Sequence, residues 1–117
     1  MATYPQTYVS VEDALKLIGG YEEIYRKLVH AFIENQRNLI STLDRKWSCD
    51  RAEVRRMVHS IKGIAKNLGA NPLYQAAIQL ESALVEGASD DELLSLYETF
   101  KTVFLNTYEE LKRFDRE

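Results

Sequence analysis

The sequence predicts an all-α protein, an antiparallel up-and-down four-helix bundle with a short additional N-terminal helix. Only five glycines and two prolines occur among 117 residues, fewer turn residues than a β-sandwich of this length needs. Long stretches repeat apolar residues at the three- and four-residue spacing of one helix face. Short connections between such helices make consecutive helices antiparallel neighbours. We expect one domain over residues 1–117, with a core at about 10–114.

The first two helices are delimited by a cap and a glycine pair. Ser10 is the predicted N-cap of the first helix, which stops at Gly19-Gly20. The second starts near Tyr21 and runs to about Lys46, with the polar stretch 34–38 as the place for a kink or split. Its apolar positions have the spacing of one buried face: Tyr25, Leu28, Val29, Phe32, Leu39, Ile40, Leu43 and Trp47.

The third and fourth helices form a predicted hairpin. Asp50 is the candidate N-cap of the third, which ends at Leu68 with Gly69 beyond it. Asn71-Pro72 opens the fourth as a cap followed by a first-turn proline, and Gly87 stops it.

A fifth helix follows, capped by Ser89 or Asp90. The sequence contains no internal repeat, low-complexity segment or domain linker. The fifth helix carries a long apolar stripe, which consists of Leu93, Leu96, Tyr97, Phe100, Val103, Phe104, Tyr108, Leu111 and Phe114.

Composition excludes several classes of function. The net charge of −3 gives no general reason to bind nucleic acid or an anionic membrane. The single cysteine, Cys49, excludes an intramolecular disulfide and cannot alone hold a structural zinc ion. No apolar run approaches the roughly 20 residues that span a bilayer, and the N-terminus lacks the basic and apolar regions of a signal peptide. We therefore expect a cytoplasmic protein without direct membrane contact.

The third helix has an unusual polar face. At about 100° per residue, its apolar stripe centres about 200° away from His59. His59 therefore points away from the core, among basic residues and one glycine. The polar face consists of Arg55, Arg56, His59, Lys62, Gly63 and Lys66.

A lone surface histidine is most often simply solvated, but its neighbours here favour a function. Gly63, one turn later, costs about 1 kcal/mol relative to alanine in a helix interior, and it lets a bulky group approach the imidazole. Lys62 and Lys66 oppose protonation of the ring and attract an anion such as phosphate. A neutral, exposed imidazole has a free lone pair and can act as a nucleophile.

The geometry of the predicted hairpin places the carboxylate of Glu81 near His59. His59 lies 11 residues before Ala70 in the predicted turn, and Glu81 lies 11 residues after it. Equal counts place both residues at similar height, so Glu81 could reach the ring, fix its tautomer and leave the other nitrogen free. The alternative, weighed equally on spacing alone, is a solvated Glu81 that pairs at most with Lys62.

The segment 59–70, HSIKGIAKNLGA, resembles the signature of histidine-containing phosphotransfer (HPt) domains. That signature has a histidine, then Lys-Gly at the third and fourth following positions, and Leu-Gly at the helix end. Leu80-Glu81, at the matching distance, also resembles the family, as do Ala14-Leu15 and Gly19-Gly20 before a helix that carries Phe32. The resemblance covers about residues 10–114.

This resemblance implies a role for each site residue. His59 would accept a phosphoryl group from a receiver-domain aspartyl phosphate and pass it to another receiver. Lys62 would steady the phosphoryl oxygens, Glu81 would orient the histidine, and Gly63 would leave room for the receiver. Arg55, Arg56 and Lys66 form a candidate receiver-facing patch.

The chain lacks a Walker-type loop, a kinase motif and an acidic metal cluster. We therefore expect no autonomous kinase activity, no cofactor or metal bound by this chain, and Mg²⁺ supplied by the receiver. The expected partners are response-regulator receiver domains and a hybrid sensor histidine kinase, with the chain itself a monomer that binds no nucleic acid.

Two rival functions stay open. One is the phosphoacceptor domain of a chemotaxis-type histidine kinase; such kinases often carry a second histidine three residues before the glutamate, where this chain has Ile78. The other is a non-catalytic helical adaptor in which His59 is incidental. His30 lies within the predicted second helix, near Leu28 and Val29, and is expected to be a boundary residue rather than a ligand. A metal trio of His30, Cys49 and His59 matches no familiar spacing.

Overall fold

The computed structural model describes residues 7–116, which form six helices and no strand. This confirms the all-α prediction. The prediction of one domain over 1–117 includes residues 1–6 and 117, which lie outside the described residues. The helices are α1 (Val11–Leu17), α2 (Glu22–Asn35), α3 (Leu39–Lys46), α4 (Arg51–Leu68), α5 (Asn71–Glu86) and α6 (Asp90–Arg116).

Four helices close into a bundle. α4 packs on α5, α5 on α6, α6 on α2, and α2 on α4. The short α1 lies against α4 and α2, and α3 lies against α4. The core between them holds aromatic pairs such as Tyr25 and Phe114, whose rings meet edge to face at 5.3 Å between centroids. The predicted bundle with an extra N-terminal helix is therefore the observed architecture.

The predicted second helix is two helices, and the break falls in the polar stretch 34–38. α2 ends where the backbone N–H of Gln36 donates to the carbonyl of Phe32 at 2.9 Å, and the Leu39 N–H then turns back to the carbonyl of Gln36 at 3.2 Å. Five consecutive polar residues offer the core no apolar side chain that would keep one continuous helix packed there. The predicted span to about Lys46 is therefore two helices, and the split falls in the polar stretch that the sequence marks as the place for it.

Side-chain caps start α1 and α4 as the sequence predicts. The Ser10 hydroxyl accepts from the Asp13 N–H, and the Asp50 carboxylate accepts from the Glu53 N–H, both at 3.2 Å. The expected cap at Asn71 is wrong, because Ala70 is the cap residue of α5. Asn71 lies in the first turn, and its amide donates to the Asp13 carboxylate at 3.3 Å.

The turn between α4 and α5 is held from the N-terminal side. Gly69 ends α4 in the left-handed conformation, with φ of 72°. The Ser10 N–H donates to the Gly69 carbonyl at 2.8 Å. A Cβ at Gly69 would lie 2.1 Å from the Ser10 carbonyl oxygen, so only glycine fits this crossing.

Residues 7–10, here called the N-terminal strap, reach this turn from α6. Glu110 of α6 is only 2% exposed. Its carboxylate accepts hydrogen bonds from the backbone N–H groups of Thr7, Tyr8 and Val9 at 2.8 to 3.2 Å. The strap thus connects α6 to the hairpin that carries the polar face.

Candidate functional site: a histidine on the polar face of α4

His59 lies on the exposed face of α4, as the helical wheel predicts. Its side chain is 63% exposed, whereas Val58 and Ile61 on the opposite side of the helix are buried. α4 presents the histidine this way because its apolar stripe is fixed against the rest of the bundle. The imidazole is therefore accessible to a large partner.

Glu81 on α5 reaches the ring, which confirms the geometric expectation from the hairpin count. Its Oε2 lies 2.6 Å from Nδ1 of His59, and its side chain is 13% exposed. An ionised carboxylate can only accept, so the ring proton is assigned to Nδ1. The Nε2 atom then keeps its lone pair and faces away from the carboxylate.

Lys62 contacts the second oxygen of the same carboxylate. Its Nζ donates to Oε1 of Glu81 at 2.6 Å, so the alternative pairing considered from spacing occurs together with the histidine contact. The Lys62 ammonium lowers the pKa of the Glu81 carboxyl below its ordinary value; burial opposes this effect and His59 adds to it. Glu81 is therefore the ionised hydrogen-bond acceptor that the tautomer assignment requires.

Gly63 leaves an open space beside the histidine. It is exposed, it lies in the interior of α4, and a Cβ built on it would meet no other atom within 4 Å. The chain itself therefore has no packing reason to keep glycine at this position.

The basic residues of this face differ in whether they form an ion pair with another side chain. Arg56 pairs with Glu53, one turn earlier on α4. Within residues 7–116, Arg55 and Lys66 are exposed and have no ion-pair partner. Of the predicted patch, these two carry the cationic groups that are available to an incoming anion.

An apolar cleft, which sequence reasoning missed, lies next to this face. The α2–α4 cleft has a volume of about 230 Å³ between Leu28, Phe32, Ile64 and Leu68, with Asn35, Gln36 and Asn67 also lining it. Leu28 is expected on the buried face of its helix, but it is 37% exposed, because the face that α2 turns inward holds Tyr25, Val29, Phe32 and Ile33. Spacing alone could not separate this cleft-lining position from its buried neighbours.

The remaining candidates lie apart from the site. His30 is exposed, and its Nδ1 lies 3.3 Å from the Asp115 carboxylate. Cys49 is a free, exposed thiol. Over residues 7–116, no group of three or more His, Cys, Asp or Glu side chains is placed to hold a metal ion. No helix in that range is long and apolar enough to cross a membrane.

Comparisons with known proteins agree with this geometry. A family model described as Hpt domain matches residues 27–113, a segment that includes α4 and α5. Among curated proteins, the chain is similar to the sensory/regulatory protein RpfC of Xanthomonas campestris pv. campestris, in strains ATCC 33913 and 8004, with 33% identity over 61 residues in each. The match covers 51% of this chain and 8% of each relative, so the chain spans a small part of their length. No solved structure matches.

Proposed function

The chain belongs to the Hpt domain family, and from this membership we propose that His59 accepts a phosphoryl group from a receiver-domain aspartyl phosphate and passes it to another receiver. Family membership supports histidine phosphotransfer in phosphorelays in general. The observation that carries the assignment to His59 is its contact with Glu81, which occupies Nδ1 and leaves Nε2 free on an exposed face.

The transfer step follows from this arrangement. The Nε2 lone pair forms the new bond to phosphorus, the phosphorus–oxygen bond to the receiver's aspartate breaks, and its electron pair leaves with that carboxylate. The Nδ1 proton stays on the ring and continues to be donated to Glu81. Because the phosphorylated ring becomes positively charged, the adjacent anionic carboxylate stabilises the product and the transition state that leads to it.

Charge on the phosphoryl oxygens needs cations from both partners. On this chain, Lys62 is proposed to steady those oxygens, and the unpaired Arg55 and Lys66 add positive charge on the same face. The receiver supplies Mg²⁺ and most of the positioning that phosphoryl transfer requires. In this proposal the chain is an intermediate that turns over no ATP by itself.

A receiver would dock over α2 and α4. Ile64 and Asn67 of the cleft follow Gly63 by one and four residues, so the cleft begins within one turn of the glycine. Exposed apolar side chains extend this surface along α1 and α2, namely Leu17, Tyr21, Ile24 and Leu28. An apolar surface beside a polar reacting group is the composition expected of an interface of about 800 Å² per partner.

The partners proposed for this surface are response-regulator receivers, including one carried by a hybrid sensor histidine kinase. The chain is similar to part of the sensory/regulatory protein RpfC, and this similarity supports a place in a sensory pathway. We propose that the chain acts as a monomer in the cytoplasm, because the exposed face of α4 offers a receiver one complete site without a second copy.

Labelling with a phosphorylated receiver tests the proposal. The wild-type chain should acquire an acid-labile, alkali-stable phosphoryl group, and His59→Gln should abolish it while the helical circular dichroism spectrum is kept. His30→Gln is the matched control, because His30 is also exposed and also contacts a carboxylate. Labelling of the His59→Gln variant would contradict the assignment to His59. No labelling of wild type by a panel of receivers would contradict phosphotransfer and favour a non-catalytic adaptor.

A further inference from the structure

Residues 7–18, here called the N-terminal arm, consist of the strap, α1 and the residue after α1. The match to the family model begins after the arm, at residue 27. All residues of the arm are described, and only Val9 and Ala14 are buried. Gly19 and Gly20, with φ of 77° and 84°, connect the arm to α2. A segment that buries so little apolar surface is of the kind that opens locally while the rest of the domain stays folded.

Polar contacts at two places hold the arm on the bundle. The Glu110 carboxylate of α6 accepts hydrogen bonds from three consecutive backbone N–H groups, those of residues 7–9. At the α4–α5 turn, the Ser10 N–H donates to the Gly69 carbonyl at 2.8 Å. Because the three N–H groups share one buried carboxylate, moving one of them away displaces the next, and the strap is held or released as a whole.

We propose that the N-terminal arm is a clasp that opens and closes as one unit, and that its closed form completes the apolar surface on which a receiver docks; the second part rests on the proposed function. Leu17 of α1 is 55% exposed. In the closed clasp, α1 packs on α2, and Leu17 adds an apolar side chain to the surface formed by Tyr21, Ile24 and Leu28. Opening of the clasp takes Leu17 away from that surface.

Closure of the clasp and binding of a receiver then favour each other. A receiver that contacts Leu17 binds the closed clasp more tightly than the open one, and a ligand shifts an equilibrium only through such a difference in affinity. The effect is reciprocal, so the bound receiver also holds the clasp closed. Ser10 precedes Leu17 by seven residues, about 10 Å along α1, so the strap reports closure at a distance from the receiver contact.

Amide hydrogen exchange of the Glu110→Gln variant tests whether the clasp opens as one unit. A glutamine amide cannot accept all the N–H groups that the carboxylate accepts, so the opening equilibrium of the arm should rise roughly 30-fold to 150-fold. The N–H groups of Ser10 and Ala14 are the reporters, because they donate to the carbonyls of Gly69 and Ser10 rather than to Glu110. Both should exchange faster by that factor. Faster exchange confined to residues 7–9 would overturn the clasp, since the strap would then loosen without α1.

Tyr97→Phe is the matched control for this variant. Tyr97 is also buried on α6 and also bonds a carboxylate, but it donates to Asp44 of α3 instead of holding the arm. Its replacement should leave the exchange of the Ser10 and Ala14 amides unchanged. An acceleration as large as in Glu110→Gln would show that the arm exchanges only when the whole domain unfolds, and it would overturn the clasp.

Val9→Ala opens the clasp in a second way. Val9 is 4% exposed, and the shorter side chain removes apolar burial while the backbone contacts with Glu110 are kept. The Ser10 and Ala14 amides should again exchange faster together, by roughly 10-fold. This variant decides the question where Glu110→Gln does not fold, and unchanged exchange in it would count against the clasp.

A receiver domain that labels the wild-type chain tests the coupling. At saturating concentration it should slow exchange of the Ser10 amide at least about 5-fold, and Leu17→Ser should lose this protection while His59 is still labelled. An unchanged Ser10 exchange rate in wild type would overturn the coupling and leave the labelling of His59 standing. Failure of every receiver to label the chain would instead contradict the proposed function, and Glu110→Gln would still decide whether the arm opens as one unit.

Discussion

Replacing Gly63 should make the chain more stable and less active. Gly63 lies in the interior of α4, its backbone is not among the positive-φ glycines, and a Cβ there would meet no atom within 4 Å. Alanine in an exposed helix interior is more stable than glycine by about 1 kcal/mol. With no steric cost to subtract, Gly63→Ala should gain that amount, which corresponds to roughly 4 °C in the melting temperature of a domain of this size.

Phosphotransfer should change in the opposite direction. A helical side chain leans towards the N-terminus of its helix, so a new side chain at position 63 would cover the turn that carries His59. Gly63→Ala should slow transfer modestly, and Gly63→Leu should slow it strongly, because the longer side chain occupies the space through which the receiver approaches. A loss of activity that accompanies a gain in stability cannot be attributed to unfolding.

Gly87→Ala is the control for this experiment. Gly87 also has open space around a built Cβ, but it ends α5 with φ of 72°, where a side chain costs about 1–2 kcal/mol. That variant should be less stable than wild type and transfer normally when folded. Thermal unfolding and labelling rates are measured for all variants. Wild-type transfer by Gly63→Leu would refute the close-approach role, and a less stable Gly63→Ala would refute the helix argument.

Three further outcomes are expected. Glu110→Gln should lower the free energy of unfolding by about 2–3 kcal/mol in denaturant titrations, because a glutamine amide cannot accept all the strap N–H groups that the carboxylate accepts; an unchanged midpoint would contradict this. Leu28→Asp should weaken receiver binding in titration calorimetry, whereas Leu105→Asp, at an exposed leucine of α6, should not. Because the pKa of Glu81 is lower in the folded chain than its ordinary value of 4.5, its contribution to stability is present above about pH 4.5 and is lost as the pH falls through the folded value. Glu81→Gln should therefore lose less stability than wild type on acidification, and equal losses would speak against that linkage.

Periodicity predicts the helices of this chain well but not their ends. The core stripe of α4 and the cap at Asp50 follow from spacing and local chemistry, both of which depend on neighbours in sequence. The polar stretch 34–38 locates the break after Asn35, although spacing does not decide between a kink and a split. The cap at Ala70 rather than Asn71 depends on tertiary contacts. Asn71, for example, contacts Asp13, which lies 58 residues away in the chain.

The contacts of the site also divide into those that the sequence predicts and those that it does not. The contact between His59 and Glu81 could be predicted, because a hairpin with a short turn fixes which residues face each other. Spacing offers the contact of Lys62 with that carboxylate only as an alternative to the histidine contact, since it cannot show that both carboxylate oxygens accept a hydrogen bond at once. Glu110 gave no signal at all, because its partners are backbone N–H groups about 100 residues away.

The Leu-Gly ending of α4 serves two purposes in this structure. Gly69 ends the helix in the left-handed conformation, and it also lets the strap cross at Ser10, where any Cβ would collide with a carbonyl oxygen. The hairpin register that places Glu81 opposite His59 is counted from this turn. Since the strap is held at its other end by Glu110 on α6, the strap and α6 together fix the turn from which the contact between the histidine and its carboxylate is counted.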